Sequence, residues 1–208
     1  MRVCLALTVL VLMGACSGSS ETPGGTDDPG GAPEGTPWFA EVATERGLDF
    51  LHRSGHDGTH LMPEAASGGG GFFDMDGDGD LDAYLVQSGS LTRAEARLPG
   101  NRLYENRGDG SFLDITEGSG AEDAGYGMGL ACGDYDNDGD VDLYVTNYGA
   151  NTLLANDGNG RFRDVTESAG VGHPGWGSSA GFFDYDRDGD LDLFVVNYIL
   201  WSVETELE

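Results

Sequence analysis

At 208 residues the chain is long enough for one hydrophobic core or for a few units of a repeat array. Its 36 glycines carry no triplet period and accompany 38% hydrophobic residues, which excludes both collagen and wholesale disorder. The formal charge is −27 and all ten basic residues are arginine, so a nucleic acid backbone is repelled and lysine-dependent Schiff-base or P-loop chemistry is excluded.

In chain order, the first element is an export signal. Met1 and Arg2 form a short positive region, and residues 3–13 form an apolar run too short for a stable membrane anchor. Met13, Gly14, Ala15 and Cys16 resemble a bacterial lipobox, which implies cleavage after residue 15 and a lipid on Cys16. The expected product is anchored to the bacterial envelope, or secreted if the lipobox is unused. Residues 16–37 are Ser, Gly, Pro, Thr, Asp and Glu with almost nothing apolar, the composition of a flexible tether. Folded sequence is expected from Trp38, giving a third segment over residues 38–208.

That segment repeats itself. Asn101-Arg-Leu-Tyr-Glu-Asn106 and the following Gly-Asp-Gly-Ser-Phe112 recur as Asn151-Thr-Leu-Leu-Ala-Asn156 and Gly-Asn-Gly-Arg-Phe162, an offset of 50. The stretch from Phe39 to Glu45 is an incomplete earlier copy that aligns from Phe112 onward. A polar insertion around residues 91–100 lengthens the first unit. Periods of this size mark propellers, solenoids or arrays whose units bury their cores against neighbours. Within a unit the apolar segments are short and β-forming, and Gly-Asn-rich turns at residues 106–110 and 156–160 predict hairpins. Each unit therefore offers about four short strands, as a propeller blade requires.

Between the first two strands of each unit lies an acidic loop. The three loops, at 74–82, 134–142 and 184–192, place aspartate at positions 1, 3, 5, 7 and 9 and glycine at position 6. The aspartates are Asp74, Asp76, Asp78, Asp80 and Asp82, then Asp134, Asp136, Asp138, Asp140 and Asp142, then Asp184, Asp186, Asp188, Asp190 and Asp192. Carboxylates at 1, 3 and 5 wrap a hard cation, glycine permits the sharp turn, position 7 offers its carbonyl, and position 9 closes the shell. An oxygen-only, highly charged donor set selects Ca2+ over zinc or copper, with up to three ions per chain. Position 12 holds Leu85, Val145 and Val195 in predicted strands, where an EF-hand needs glutamate, so that motif is excluded.

These units resemble FG-GAP (VCBS-type) repeats of integrin-α-like β-propellers, and more narrowly bacterial relatives of the cartilage acidic protein family. The resemblance covers residues 38–200 and implies an all-β fold of four-stranded antiparallel blades in a ring of seven, followed by an ASPIC/UnbV module. It also implies calcium held in each loop by the side chains at positions 1, 3, 5 and 9 and by the carbonyl at position 7. Only two units and part of a third are present, so a truncated product with open blade edges, disposed to self-association, is expected.

Weaker signals complete the reading. His52, His56 and His60 with Glu64 have the spacing of a helical metal face, but Gly55, Gly58 and Pro63 oppose a helix and favour an ordered loop. Tyr126 and Trp176 occupy corresponding positions, suited to a ligand-binding face or to packing between blades. Cys132 aligns with Phe72 and Phe182 and is expected to be buried rather than reactive. With no nucleophile-base pair in view, the chain reads as no enzyme but as a calcium-binding scaffold for an extracellular protein or glycan. The alternatives are a calcium-dependent enzyme or accessory acting on polysaccharide, and a truncated product without independent function.

Overall fold

A computed structural model of the chain describes residues 39–92 and 99–207 together with the two-residue strand β1 (Leu7–Thr8). The export signal apart from β1, the lipid site Cys16, the tether, Trp38 and residues 93–98 of the insertion lie outside the described residues.

The fold is built almost wholly of β-strands. One four-stranded sheet contains β2 (Gly69–Phe73), β3 (Asp82–Val86), β4 (Arg102–Asn106) and β5 (Phe112–Asp114), in that order. The next repeats it with β6 (Tyr126–Gly133), β7 (Asp142–Tyr148), β8 (Thr152–Asn156) and β9 (Phe162–Asp164). A third sheet pairs β10 (Gly177–Phe183) with β11 (Asp192–Asn197), and β1 lies parallel to β11. The strands within each unit are antiparallel and consecutive, as in propeller blades. The helical elements are single turns at Met62–Ala65, Thr166–Ala169 and Val203–Leu207. Among the described residues no helix is long and apolar enough to cross a membrane.

The expected hairpins form where the turn residues stand. Arg107 donates its amide to the Ser111 carbonyl at 2.9 Å, and Asp157 does the same to Arg161 at 3.0 Å. The incomplete copy is structurally equivalent too: the Phe112 amide donates to the Arg46 carbonyl at 2.6 Å, as the Phe162 amide does to Ser119 at 2.7 Å.

Each blade has a front face toward the preceding unit and a back face toward the following one. The back face of the first blade (Phe73, Met75, Tyr84, Val86, Leu103) packs on the front face of the second (Leu130, Cys132, Leu143, Val145, Leu154, Phe162). The back face of the second (Ala131, Tyr135, Tyr144, Leu153, Val165) packs on Ala180, Phe182, Leu193 and Val195 of the third sheet. Alternation along a strand therefore buries both faces of the second blade, each in a different interface. Glycine brings the first strands of successive blades close together. A Cβ on Gly129 would sit 3.0 Å from the Ser178 carbonyl oxygen, and one on Gly69 3.3 Å from the Gly129 Cα.

Polar ties fix the spacing between blades. The Tyr84 hydroxyl donates to the Ala121 carbonyl at 2.7 Å and accepts from Asn101 Nδ2 at 3.0 Å. Tyr144, Val171 and Asn151 repeat the arrangement at 2.8 and 3.0 Å. Tyr126 and Trp176 are buried together with Met128, and Trp176 meets Tyr148, Tyr198 and Trp201 edge to face. Their role is packing between blades. Cys132 packs into the first interface, and burial pushes its thiol up to about 11.

Candidate metal centres

Every acidic loop joins the first two strands of its sheet, and the ladder itself sets the loop's width. Phe73 faces Asp82, Gly133 faces Asp142 and Phe183 faces Asp192 across the strand pair, so position 9 is held opposite the residue before position 1. Position 1 then organises the turn. Asp134 accepts the amides of Asp138 and Gly139 at 3.1 and 3.0 Å, and Asp184 accepts those of Asp188 and Gly189 at 3.1 Å each. Asp74 accepts from Gly77 and Gly79 at 2.8 and 3.0 Å. In all three loops the position 5 carboxylate accepts the position 7 amide, at 2.8 to 3.1 Å.

Glycine at position 6 has positive φ in each loop (90°, 99° and 96°), the conformation it was expected to supply. Position 4 is also left-handed, at Gly77, Asn137 and Arg187. Glycine and asparagine at two of these positions signal that turn, whereas Arg187 carries no such signal and bears the steric cost of a branched Cα there.

Asp82 and Asp142 are buried and serve two elements at once. Asp142 accepts the Tyr135 amide on Oδ2 at 2.9 Å and the Asn156 amide on Oδ1 at 2.8 Å. Asp82 does the same with Met75 and Asn106, at 2.9 and 2.7 Å. Asp192 accepts the Tyr185 amide at 2.8 Å. Burial pushes the Asp142 carboxyl up to about 6, against the two amides that favour its ionised form, with Asp136 and Asp138 adding repulsion. The Asp82 carboxyl is raised for the same leading reason.

Carboxylate oxygens converge within 4.8 Å of one another in three groups: Asp74, Asp76 and Asp78; Asp134, Asp136 and Asp142; Asp184, Asp186 and Asp192. Positions 1 and 3 belong to every group, and the third member is position 5 in the first loop and position 9 in the others. The side chains of Asp80, Asp140 and Asp190 stand outside these groups, and Asp190 instead accepts from Asn137 Nδ2 of the neighbouring loop at 2.9 Å. A set of converging carboxylates, all hard oxygen donors, fits a hard divalent cation.

Asparagines that the metal-ligand pattern does not single out complete the loops. Asn156 Nδ2 donates to the Val141 carbonyl at 3.1 Å and to the Met75 carbonyl of the preceding loop at 2.8 Å. Asn106 Nδ2 donates to Leu81 at 3.0 Å. Their recurrence at an offset of 50 was the available signal. The histidine cluster forms no helix. His56 Nδ1 lies 3.0 Å from Glu64 Oε2 and its ring 4.6 Å from that of His60, in a loop ending in the turn Met62–Ala65. His52 is engaged elsewhere, with Ser88 Oγ at 3.1 Å.

The family model described as FG-GAP-like repeat matches residues 74–145 and 134–195, together more than half of the chain, and both matches begin at position 1 of an acidic loop. Cartilage acidic protein 1 of Xenopus tropicalis is 41% identical over 49 residues, a stretch covering 23% of this chain and 8% of that protein. With blades, loops and repeat matches in register, the chain belongs to the FG-GAP-like repeat family.

Proposed function

We propose that the chain is an exported scaffold whose blades are rigidified by calcium and present a binding surface to an extracellular protein or glycan. The β-propeller-like architecture of FG-GAP-like repeats suits a binding scaffold, and cation binding is what stiffens it. That binding is inferred from one observation: three loops of the same spacing each bring three carboxylates within 4.8 Å. Bare, such groups repel one another, so an ion of charge two offsets the repulsion and ties the first two strands of a blade together. Export and attachment through a lipid on Cys16 follow from the apolar leader and the lipobox-like residues before it. A surface scaffold then stands clear of the membrane on the tether of residues 16–37.

Thermal unfolding of chelator-treated protein tests the cation. Calcium at a hundredfold excess over its dissociation constant stabilises by about 2.7 kcal/mol per site, a rise of several degrees. Magnesium, which demands a smaller octahedral shell, is expected to give a smaller rise. Equal melting temperatures in chelator and in millimolar calcium would remove the proposal's basis.

A further inference from the structure

Two asparagine side chains reach from one acidic loop to the next. Asn137, at position 4 of the second loop, donates Nδ2 to Asp190 Oδ1 at position 7 of the third, at 2.9 Å. Asn156 Nδ2 spans the first and second loops, with the Met75 carbonyl at 2.8 Å and the Val141 carbonyl at 3.1 Å. Neither asparagine belongs to the ligand positions 1, 3, 5, 7 and 9. Both ends of the Asn137 tie are nevertheless fastened to groups at those positions. The two amides after Asn137, of Asp138 and Gly139, are accepted by Asp134 at position 1, at 3.1 and 3.0 Å. The Asp190 amide is accepted by Asp188 at position 5, at 3.1 Å, and the Asp190 carbonyl is the position 7 oxygen of the cation pattern.

We infer that the second and third loops take up calcium in a coupled way, each ion favouring the other through the hydrogen bond between Asn137 and Asp190. The coupling rests on the calcium reading and adds to it that the sites are not independent. An ion that gathers the third loop fixes Asp190, and through it Asn137 and the two amides that orient Asp134. The second loop then has less freedom left to lose when its own ion arrives. By reciprocity an ion in the second loop favours one in the third by the same factor. Two divalent ions also repel each other. Asn137 is neutral, so removing its side chain leaves that repulsion as it was and deletes the tie alone.

Asn137→Gly is the test substitution, because Asn137 sits at φ 60° and Gly77 holds the same position of the first loop at φ 74°. Calcium titration of the chelator-stripped full chain carrying Asp74→Ala, which leaves the second and third loops, gives the overall affinity for two ions. Adding Asp134→Ala or Asp184→Ala gives the affinity of each remaining loop alone. The two-ion affinity is expected to exceed the product of the single-loop affinities, and Asn137→Gly to lower that ratio about fivefold. Asp190→Ala, which keeps its backbone carbonyl, is expected to lower it equally, and the double variant to lower it no further. A ratio of one, or a ratio that Asn137→Gly leaves unchanged, overturns the coupling, while the uptake of two ions keeps the calcium reading standing. A loss confined to the affinity of the second loop alone also overturns it and makes Asn137 a local turn residue. A chain that takes up no calcium overturns the calcium reading and the coupling together.

Discussion

Replacing the position 9 aspartate separates its structural role from its role as a cation donor, because the chain contains two versions of it. Asp142 accepts two backbone amides, from Tyr135 in its loop and from Asn156 at the end of β8, while Asp192 accepts the Tyr185 amide in its loop. A hydrogen bond to a charged acceptor contributes about 1.5–3 kcal/mol, and a buried donor left without a partner costs about 1–3 kcal/mol. Asp142→Ala removes two such bonds and orphans amides in a buried setting, while relieving a carboxylate whose ionisation burial opposes. The net expected loss is about 2–4 kcal/mol. Asp192→Ala removes one, at a half-buried position, for an expected loss of about 1–2 kcal/mol. Urea unfolding in excess chelator, so that no cation contributes, followed by the fluorescence of buried Trp176, measures both. If Asp142→Ala costs no more than Asp192→Ala, position 9 does not staple loop to β8 and the reasoning fails.

Other expectations rest on the interfaces. Tyr84→Phe leaves the Ala121 carbonyl and the Asn101 amide without their shared hydroxyl, an expected loss of about 2–3 kcal/mol in urea unfolding. Tyr148→Phe, whose hydroxyl reaches the Trp201 carbonyl only at 3.5 Å, is expected to cost under about 0.5 kcal/mol in the same assay. Gly127→Ala forces a methyl to within 2.6 Å of a backbone oxygen in the first interface and is expected to destabilise by about 1–3 kcal/mol. Gly181→Ala, with open space around it, is the near-neutral control. The Cys132 thiol, raised to about 11, holds its proton at neutral pH. Alkylation mapped to its peptide should be slow in the folded chain at pH 7.5 and still rising above pH 10. The denatured chain should label fast and level off near pH 9, and equal rates in the two states would show Cys132 to be accessible.

Much of this architecture was legible because it is written three times. The strand–loop–strand unit follows from aspartate at alternate positions, glycine at position 6, and β-formers at once after Asp82, Asp142 and Asp192. The loop and the second strand are thus local, and local rules suffice. The choice between ligand binding and packing for Tyr126 and Trp176 was not local. It depends on aromatic partners from β7 and the segment after β11, which only the folded chain brings to one place. Position 9 shows a second limit. Counting donors makes Asp142 one more carboxylate, whereas its two backbone partners lie 7 residues before it and 14 after it. The left-handed Arg187 is opaque for another reason: its neighbours impose the conformation against its own preference.

The most direct measurement of the central claim is the number of calcium ions held per chain, by isothermal titration of chelator-stripped protein. Three are expected, one per converging carboxylate group, with one lost in each of Asp74→Ala, Asp134→Ala and Asp184→Ala. A chain that takes up no calcium at millimolar supply, or whose stoichiometry ignores all three substitutions, would contradict the account.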